Sequence, residues 1–118
     1  MPPKVKVSLG EALAKLPLPA TVEWPRGVWD TEELAHGSMS LLLFAPKDTD
    51  FQTPHDKDEV YIVMAGSGEF ACDGESYDFV TGDVLFVPAG VAHRFTRFTP
   101  DFAAWVVFYG PKGGEAAG

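Results

Sequence analysis

Three side chains stand out for the chemistry they could do: His55, Glu59 and His93. Imidazole nitrogens and carboxylate oxygens are the ligand types that suit a borderline divalent ion. The first two stand in the run Thr53-Pro54-His55-Asp56-Lys57-Asp58-Glu59-Val60-Tyr61-Ile62-Val63. Alternate residues of an extended segment share a face, so Thr53 would lie beside His55, and Glu59 beside Tyr61 and Val63. An ionised carboxylate among apolar neighbours is costly unless a cation or hydrogen-bond donors offset it. A second reading of the same run puts His55 and Glu59 in a solvated loop, because polar loops are rich in such residues. His93 closes the run Gly82-Asp83-Val84-Leu85-Phe86-Val87-Pro88-Ala89-Gly90-Val91-Ala92-His93. Here Gly82 permits a tight turn, Pro88 fixes its own φ and Gly90 permits a left-handed turn, which delivers His93 to the strand beside the previous one. A hydrogen-bonded structural histidine is the commoner outcome at such a position. Gln52 would add an amide oxygen if its loop bulges toward the site. Asp56 and Asp58 are expected to face solvent, and His36 to be a surface or packing residue.

Elements of β type must position these groups. Ser8-Leu9-Gly10-Glu11 fits a capping box, and Leu9, Leu13 and Leu16 recur at helical spacing until Pro17, which predicts one short N-terminal helix. Residues 18–29 carry Pro19 and Pro25 and read as extended, an edge strand at most. Strands are predicted over 38–45, 60–64, 69–72, 77–80, 84–87, 92–98 and 102–109, punctuated by Gly and Pro. Asp73-Gly74 marks a hairpin between two of them. Such short, evenly spaced strands point to an antiparallel sandwich or barrel with one core. Phe86, Phe95, Phe98, Phe102 and Phe108 read as its filling, and Trp24, Trp29 and Trp105 as core. Residues 110–118, rich in Gly and Ala, read as a flexible tail.

The two runs together resemble the cupin superfamily. Its first motif reads Gly, five residues, His-x-His, three or four residues, Glu, six residues, Gly; His55, Glu59 and Gly66 match that spacing. Its second reads Gly, five residues, Pro-x-Gly, two residues, His, three residues, Asn; Gly82, Pro88, Gly90 and His93 match. The resemblance covers about residues 38–109. Three positions depart from it: Thr53 stands at the first histidine, Lys47 at the leading glycine and Arg97 at the final asparagine. What the resemblance implies is an all-β, jelly-roll barrel with a short N-terminal helix, in a single domain over 1–118. It implies one divalent metal ion (Fe, Mn, Zn or Ni) held by His55, Glu59 and His93. That set has the composition of a two-histidine, one-carboxylate triad with positions left open. Tyr61, Arg97 and Thr53 would be polar groups facing a substrate. Arg97, four residues after His93, should share its face in a regular strand. Members catalyse dioxygenase, isomerase, epimerase and lyase reactions, so a metal-dependent enzyme acting on a small organic molecule is expected, with a non-catalytic binding or sensing domain as the alternative. Members also commonly pair through edge strands, which implies a homodimer with the Trp-bearing N-terminal segment in the interface.

Composition narrows the partners. The chain has 118 residues, enough for one domain, and a net charge of −8 from 17 acidic and 9 basic residues. Nucleic acid and anionic membranes attract positive footprints, which this chain lacks. A small molecule fits better. The longest apolar run, Leu41 to Ala45, is strand-sized, and no secretory h-region follows the N-terminal lysines, so a cytoplasmic setting is expected. Cys72 is the one cysteine, which excludes an internal disulfide and predicts a buried, inert thiol.

Overall fold

The computed structural model describes residues 4–116. Its one helix, α1 (Leu9–Ala14), is followed by eight strands: β1 (Asp30–His36), β2 (Met39–Phe44), β3 (Asp58–Ala65), β4 (Gly68–Cys72), β5 (Glu75–Phe79), β6 (Val84–Val87), β7 (His93–Phe98) and β8 (Ala103–Tyr109). They form two antiparallel sheets, one ordered β1-β2-β8-β3-β6 and the other β5-β4-β7. This is the expected jelly-roll barrel.

Register explains which side chains fill it. Paired residues of neighbouring strands share a face. Leu42 pairs with Val106 and Val106 with Tyr61, while Phe108 pairs with Glu59 and Glu59 with Val87. This row faces the smaller sheet, and Phe70, Phe79 and Phe95 meet it from the other side. Phe95 sits at the centre, with ring centroids 4.7 Å from both Phe70 and Phe102 and 5.0 Å from Tyr61. The central strand β8 is apolar on both faces because its outer face is also covered. Ala12 of α1, with Leu9 and Leu16, packs over Leu43, Ala45, Ala103 and Trp105. Gly66, between β3 and β4, has φ +90°, and a Cβ there would stand 2.8 Å from the Phe102 Cα, so glycine lets the two chain segments touch. The β4–β5 loop is Asp73-Gly74 alone, both with positive φ, as a two-residue hairpin turn requires.

Several expectations are corrected. Residues 18–29 form no strand: one isolated bridge joins Leu18 to Val28, and the turn between them is held by the Trp24 N–H donating to Thr21 Oγ1 at 3.0 Å. The edge strand lies further on, at Asp30–His36, where the acidic sequence hid it. Ser8 precedes α1 in extended geometry, but its hydroxyl makes no cap hydrogen bond. Phe86 is 54% exposed, because its pairing with Val60 sets it on the outer face while Leu85 and Val87 point inward. The tail is tethered as far as residue 115: Gly113 N–H donates to the Asp56 carbonyl at 2.6 Å, and Glu115 N–H to Asp58 Oδ2 at 2.8 Å. Residues 1–3 and 117–118 of the expected frayed ends lie outside the described residues.

Candidate metal centre

The chain brings His55, Glu59 and His93 together, each offering a ligand atom within 4.8 Å of the others. Glu59 is the second residue of β3 and faces inward with Tyr61 and Val63. It is 1% exposed. His93 opens β7. His55 lies in the loop before β3, its ring edge-on to Phe108 with centroids 4.7 Å apart. The turn before β7 is docked onto that loop. Gly90, with φ +77°, donates its N–H to the His55 carbonyl at 2.7 Å. Asp58 accepts the Ala89 N–H at 2.9 Å, so it is buried as a clamp rather than facing solvent, and these backbone hydrogen bonds hold its pKa below the ordinary value.

The side chain that lies beside His55 and His93 is that of Gln52, not that of Thr53. Residues 45–57 are not strand, so the alternation counted back from His55 does not hold there. Asp50 accepts the Gln52 N–H at 2.9 Å in an Asx-type turn, which bulges the loop inward. The same carboxylate accepts Gln52 Nε2 at 2.6 Å and the Phe95 N–H at 2.9 Å. A carboxylate only accepts, so the amide NH₂ must face Asp50 and the amide oxygen must face the site. That oxygen accepts the Tyr61 hydroxyl at 2.8 Å and lies 3.2 Å from His93 Nε2 and 3.4 Å from His55 Nε2. Thr53 remains at the exposed rim of the cavity. An Asp two residues ahead of Gln52 is the sequence signal for such a turn, and it marks Asp50 as the residue that positions the amide.

Protons and lone pairs then fix the electrostatics. His93 Nδ1 stands 2.9 Å from the Val91 carbonyl, which can only accept, so Nδ1 carries the hydrogen. In the neutral ring Nε2 therefore presents a lone pair, 3.1 Å from Glu59 Oε1 and close to the Gln52 oxygen. Oε1 is buried and has no hydrogen-bond partner among the described residues, its approach to Nε2 being off-line. Acceptors thus converge on one point with too few donors between them, an arrangement that a cation resolves: a metal ion, or a proton on His93. Burial pushes the His93 pKa down, but the Glu59 carboxylate and Val91 carbonyl, with the Asp50 charge behind, outweigh it and raise it above 6.5. Burial, then the charges of Glu59 and Asp50, lifts Tyr61 well above the ordinary phenol value, so it stays a donor. Burial likewise raises Cys72, leaving a half-buried protonated thiol.

A cavity of about 150 Å³ opens beside Glu59 and His55, walled by Trp24, Phe44, Phe51 and Phe108. Asp30 also lines it, its pKa raised by burial and partly lowered again by His55. Arg97 does not reach it. In β7 the pairing runs Phe70 to Phe95 and Glu69 to Arg97, so Thr96 is an extra residue. This bulge flips the alternation after Phe95, turning Arg97 outward to within 3.8 Å of Asp78.

The cupin domain profile matches residues 40–109. An uncharacterized protein of Streptomyces coelicolor, SCO3923, is 40% identical over 81 residues, covering 67% of this chain and 77% of its own. This chain belongs to the cupin family. Solved structures share the fold. KdgF of a Halomonas species is 20% identical with a TM-score of 0.59, over 70% of this chain and 78% of its own. A cupin 2 conserved barrel domain protein of Salinispora arenicola is 22% identical with a TM-score of 0.55, over 69% and 74%. Among the described residues no helix is long and apolar enough to cross a membrane.

Proposed function

We propose that His55, Glu59 and His93 hold one divalent metal ion of the Fe, Mn, Zn or Ni type, with the Gln52 oxygen beside them, and that the domain performs metal-dependent chemistry on a small organic molecule in the cavity. The observation that supports this most is the buried Glu59 Oε1, which has no hydrogen-bond partner among the described residues and stands 3.1 Å from His93 Nε2. Such an ion would act as a Lewis acid on a substrate oxygen or as a redox centre toward dioxygen. The chain's own residues do the rest. Asp50 holds Gln52, Gln52 holds the Tyr61 hydroxyl, and Trp24, Phe44, Phe51 and Phe108 wall the cavity. Tyr61 and Thr53 are the polar groups available to a substrate, and the outward turn of Arg97 removes it from that role.

We further read the protein as a homodimer in the cytoplasm. Trp24 is turned toward Phe44, with centroids 6.2 Å apart, and it and Trp29 are half-buried within the chain. The outer face of β3 and β6 exposes Ile62, Met64, Val84 and Phe86 side by side at a sheet edge, which suits a second copy. Sedimentation that finds only monomer at high concentration would remove that statement. The enzymatic reading is tested with metal-loaded protein and a panel of small oxygenated compounds, following oxygen uptake and product formation. Turnover that disappears in Glu59→Gln supports it. Stoichiometric ligand binding without turnover would instead make this a binding or sensing domain.

A further inference from the structure

The cavity wall carries more charge than a metal centre needs. Besides Glu59 it is lined by Asp30 and, at the mouth, Glu23, and by no lysine or arginine. Asp30 pairs with Phe44 across β1 and β2, which sets its carboxylate on the inner face beside the aromatic side chains. Among the described residues no lysine or arginine pairs with it, and the charge that acts on it is that of His55. Lys15 and Lys4 serve Glu33, Arg26 serves Asp48 and Arg97 serves Asp78. Lys47 and Lys57 donate to the carbonyls of Pro100 and Ser38. A divalent ion on Glu59 would still leave this wall net negative. Facing it is a corner of aromatic rings: Trp24 stands edge-on to Phe51, with centroids 5.4 Å apart and planes at 84°, and edge-on to Phe44 at 83°. Aromatic side chains that line a small space beside a carboxylate can attract a cation through the ring faces they leave uncovered.

We propose that the cavity takes a small cationic ligand, an ammonium-type group on a compact apolar body, with the charge held by Asp30 among Trp24, Phe44 and Phe51. This rests on the cavity and metal centre proposed above and names their substrate class. At about 150 Å³ the space suits a body the size of benzene. A neutral molecule of that shape would leave Asp30 desolvated without a partner, and an anion would be repelled by Asp30 and Glu23, its one attractive contact being a metal ion on Glu59.

Choline, its neutral isostere 3,3-dimethylbutan-1-ol and the anion 3,3-dimethylbutanoate are close in size and differ in charge, which makes them the probes. Calorimetry on metal-loaded protein should find choline about tenfold or more tighter than the alcohol, the scale of one charge contact plus a cation–π contribution. In protein stripped of metal, where no ion draws a carboxylate, the butanoate should be weakest. Asp30→Asn should reduce the choline preference to about threefold or less, while the metal content per chain stays unchanged. Trp24→Leu, outside the strands, should weaken choline more than the alcohol and provides a second reading if Asp30→Asn folds poorly. Equal affinity for choline and the alcohol, a preference of the metal-free protein for the butanoate, or no binding of any probe overturns the proposal. Metal bound without a choline preference refutes this inference and leaves the metal centre standing. A choline preference in protein that binds no metal supports this inference and refutes the metal centre.

Discussion

Asp50→Asn probes the residue on which the site depends without touching metal or ligand. Asp50 is 1% exposed and accepts three hydrogen bonds, from the Gln52 N–H, Gln52 Nε2 and the Phe95 N–H. Asparagine has one accepting oxygen. Its best orientation puts that oxygen at the Oδ2 position, keeping Phe95 and the Gln52 amide, and turns its own NH₂ against the Gln52 backbone N–H. Two charge-assisted bonds then become neutral, each losing about 0.5–1.5 kcal/mol, and one donor is left unpaired at about 1–3 kcal/mol. Relief from burying a carboxylate offsets part of this, so a net loss of about 1–3 kcal/mol is expected. For a domain of this size that lowers Tm by about 5–15 °C, read by thermal and urea unfolding. The amide of Gln52 is also freed to rotate, so metal affinity should fall about 10- to 100-fold, the usual range when a group that orients a ligand is altered. Gln52→Ala should weaken the metal similarly and, because it strips the buried Tyr61 hydroxyl of its acceptor, should also cost about 1–3 kcal/mol of stability. If Asp50→Asn changes stability by less than about 0.5 kcal/mol and leaves metal affinity intact, the role given to Asp50 is wrong.

Gln52→His places an imidazole where the amide oxygen stands and should tighten metal binding, measured by competition with a chelator, while slowing any reaction that needs an open position. Metal raises Tm by binding the folded state alone, and its ligands must be unprotonated. Because the folded His93 pKa lies above 6.5, the metal-induced rise in Tm should be larger near pH 8 than near pH 5.5. Asp58 has a folded pKa below 3.8, so its contribution is present above that value and lost as pH falls through the folded pKa; Asp58→Asn should narrow the Tm difference between about pH 5 and pH 3. Lys15→Met removes contacts of 2.8 and 3.0 Å to the buried Glu33 and should cost about 1–2 kcal/mol in urea unfolding, discounted because Lys15 is half-exposed. Phe95→Ala should cost about 3–5 kcal/mol, with no compensation from added metal at sub-stoichiometric amounts.

Strands β3, β6, β7 and β8 were legible because each alternates or runs apolar between Gly and Pro, whereas His55, Glu59 and His93 were joined into one set by the resemblance of the two runs to the cupin motifs, the residues alone leaving a solvated loop and a structural histidine open. What escaped the sequence depended on tertiary pairing. The acidic Asp30–His36 has little strand propensity of its own and becomes a strand only because β2 offers it an edge. Arg97 was assigned inward by strict alternation, which one inserted residue at Thr96 reverses. Thr53 was set beside His55 by the same rule in a segment that is not a strand, whereas the Asx turn at Asp50 brings in Gln52. Asp58 read as one more solvated acid, because its two partners, Ala89 and Glu115, lie 31 and 57 residues away.

Elemental analysis of protein purified without added metal, beside His93→Ala and Glu59→Gln prepared identically, tests the metal centre most directly. Near one divalent ion per wild-type chain, falling to a small fraction in both variants that remain folded, is the predicted result. A wild-type chain that carries no ion and shows no rise in Tm with iron, manganese, zinc or nickel near pH 8 would contradict it, and would assign the cation between Glu59 and His93 to a proton.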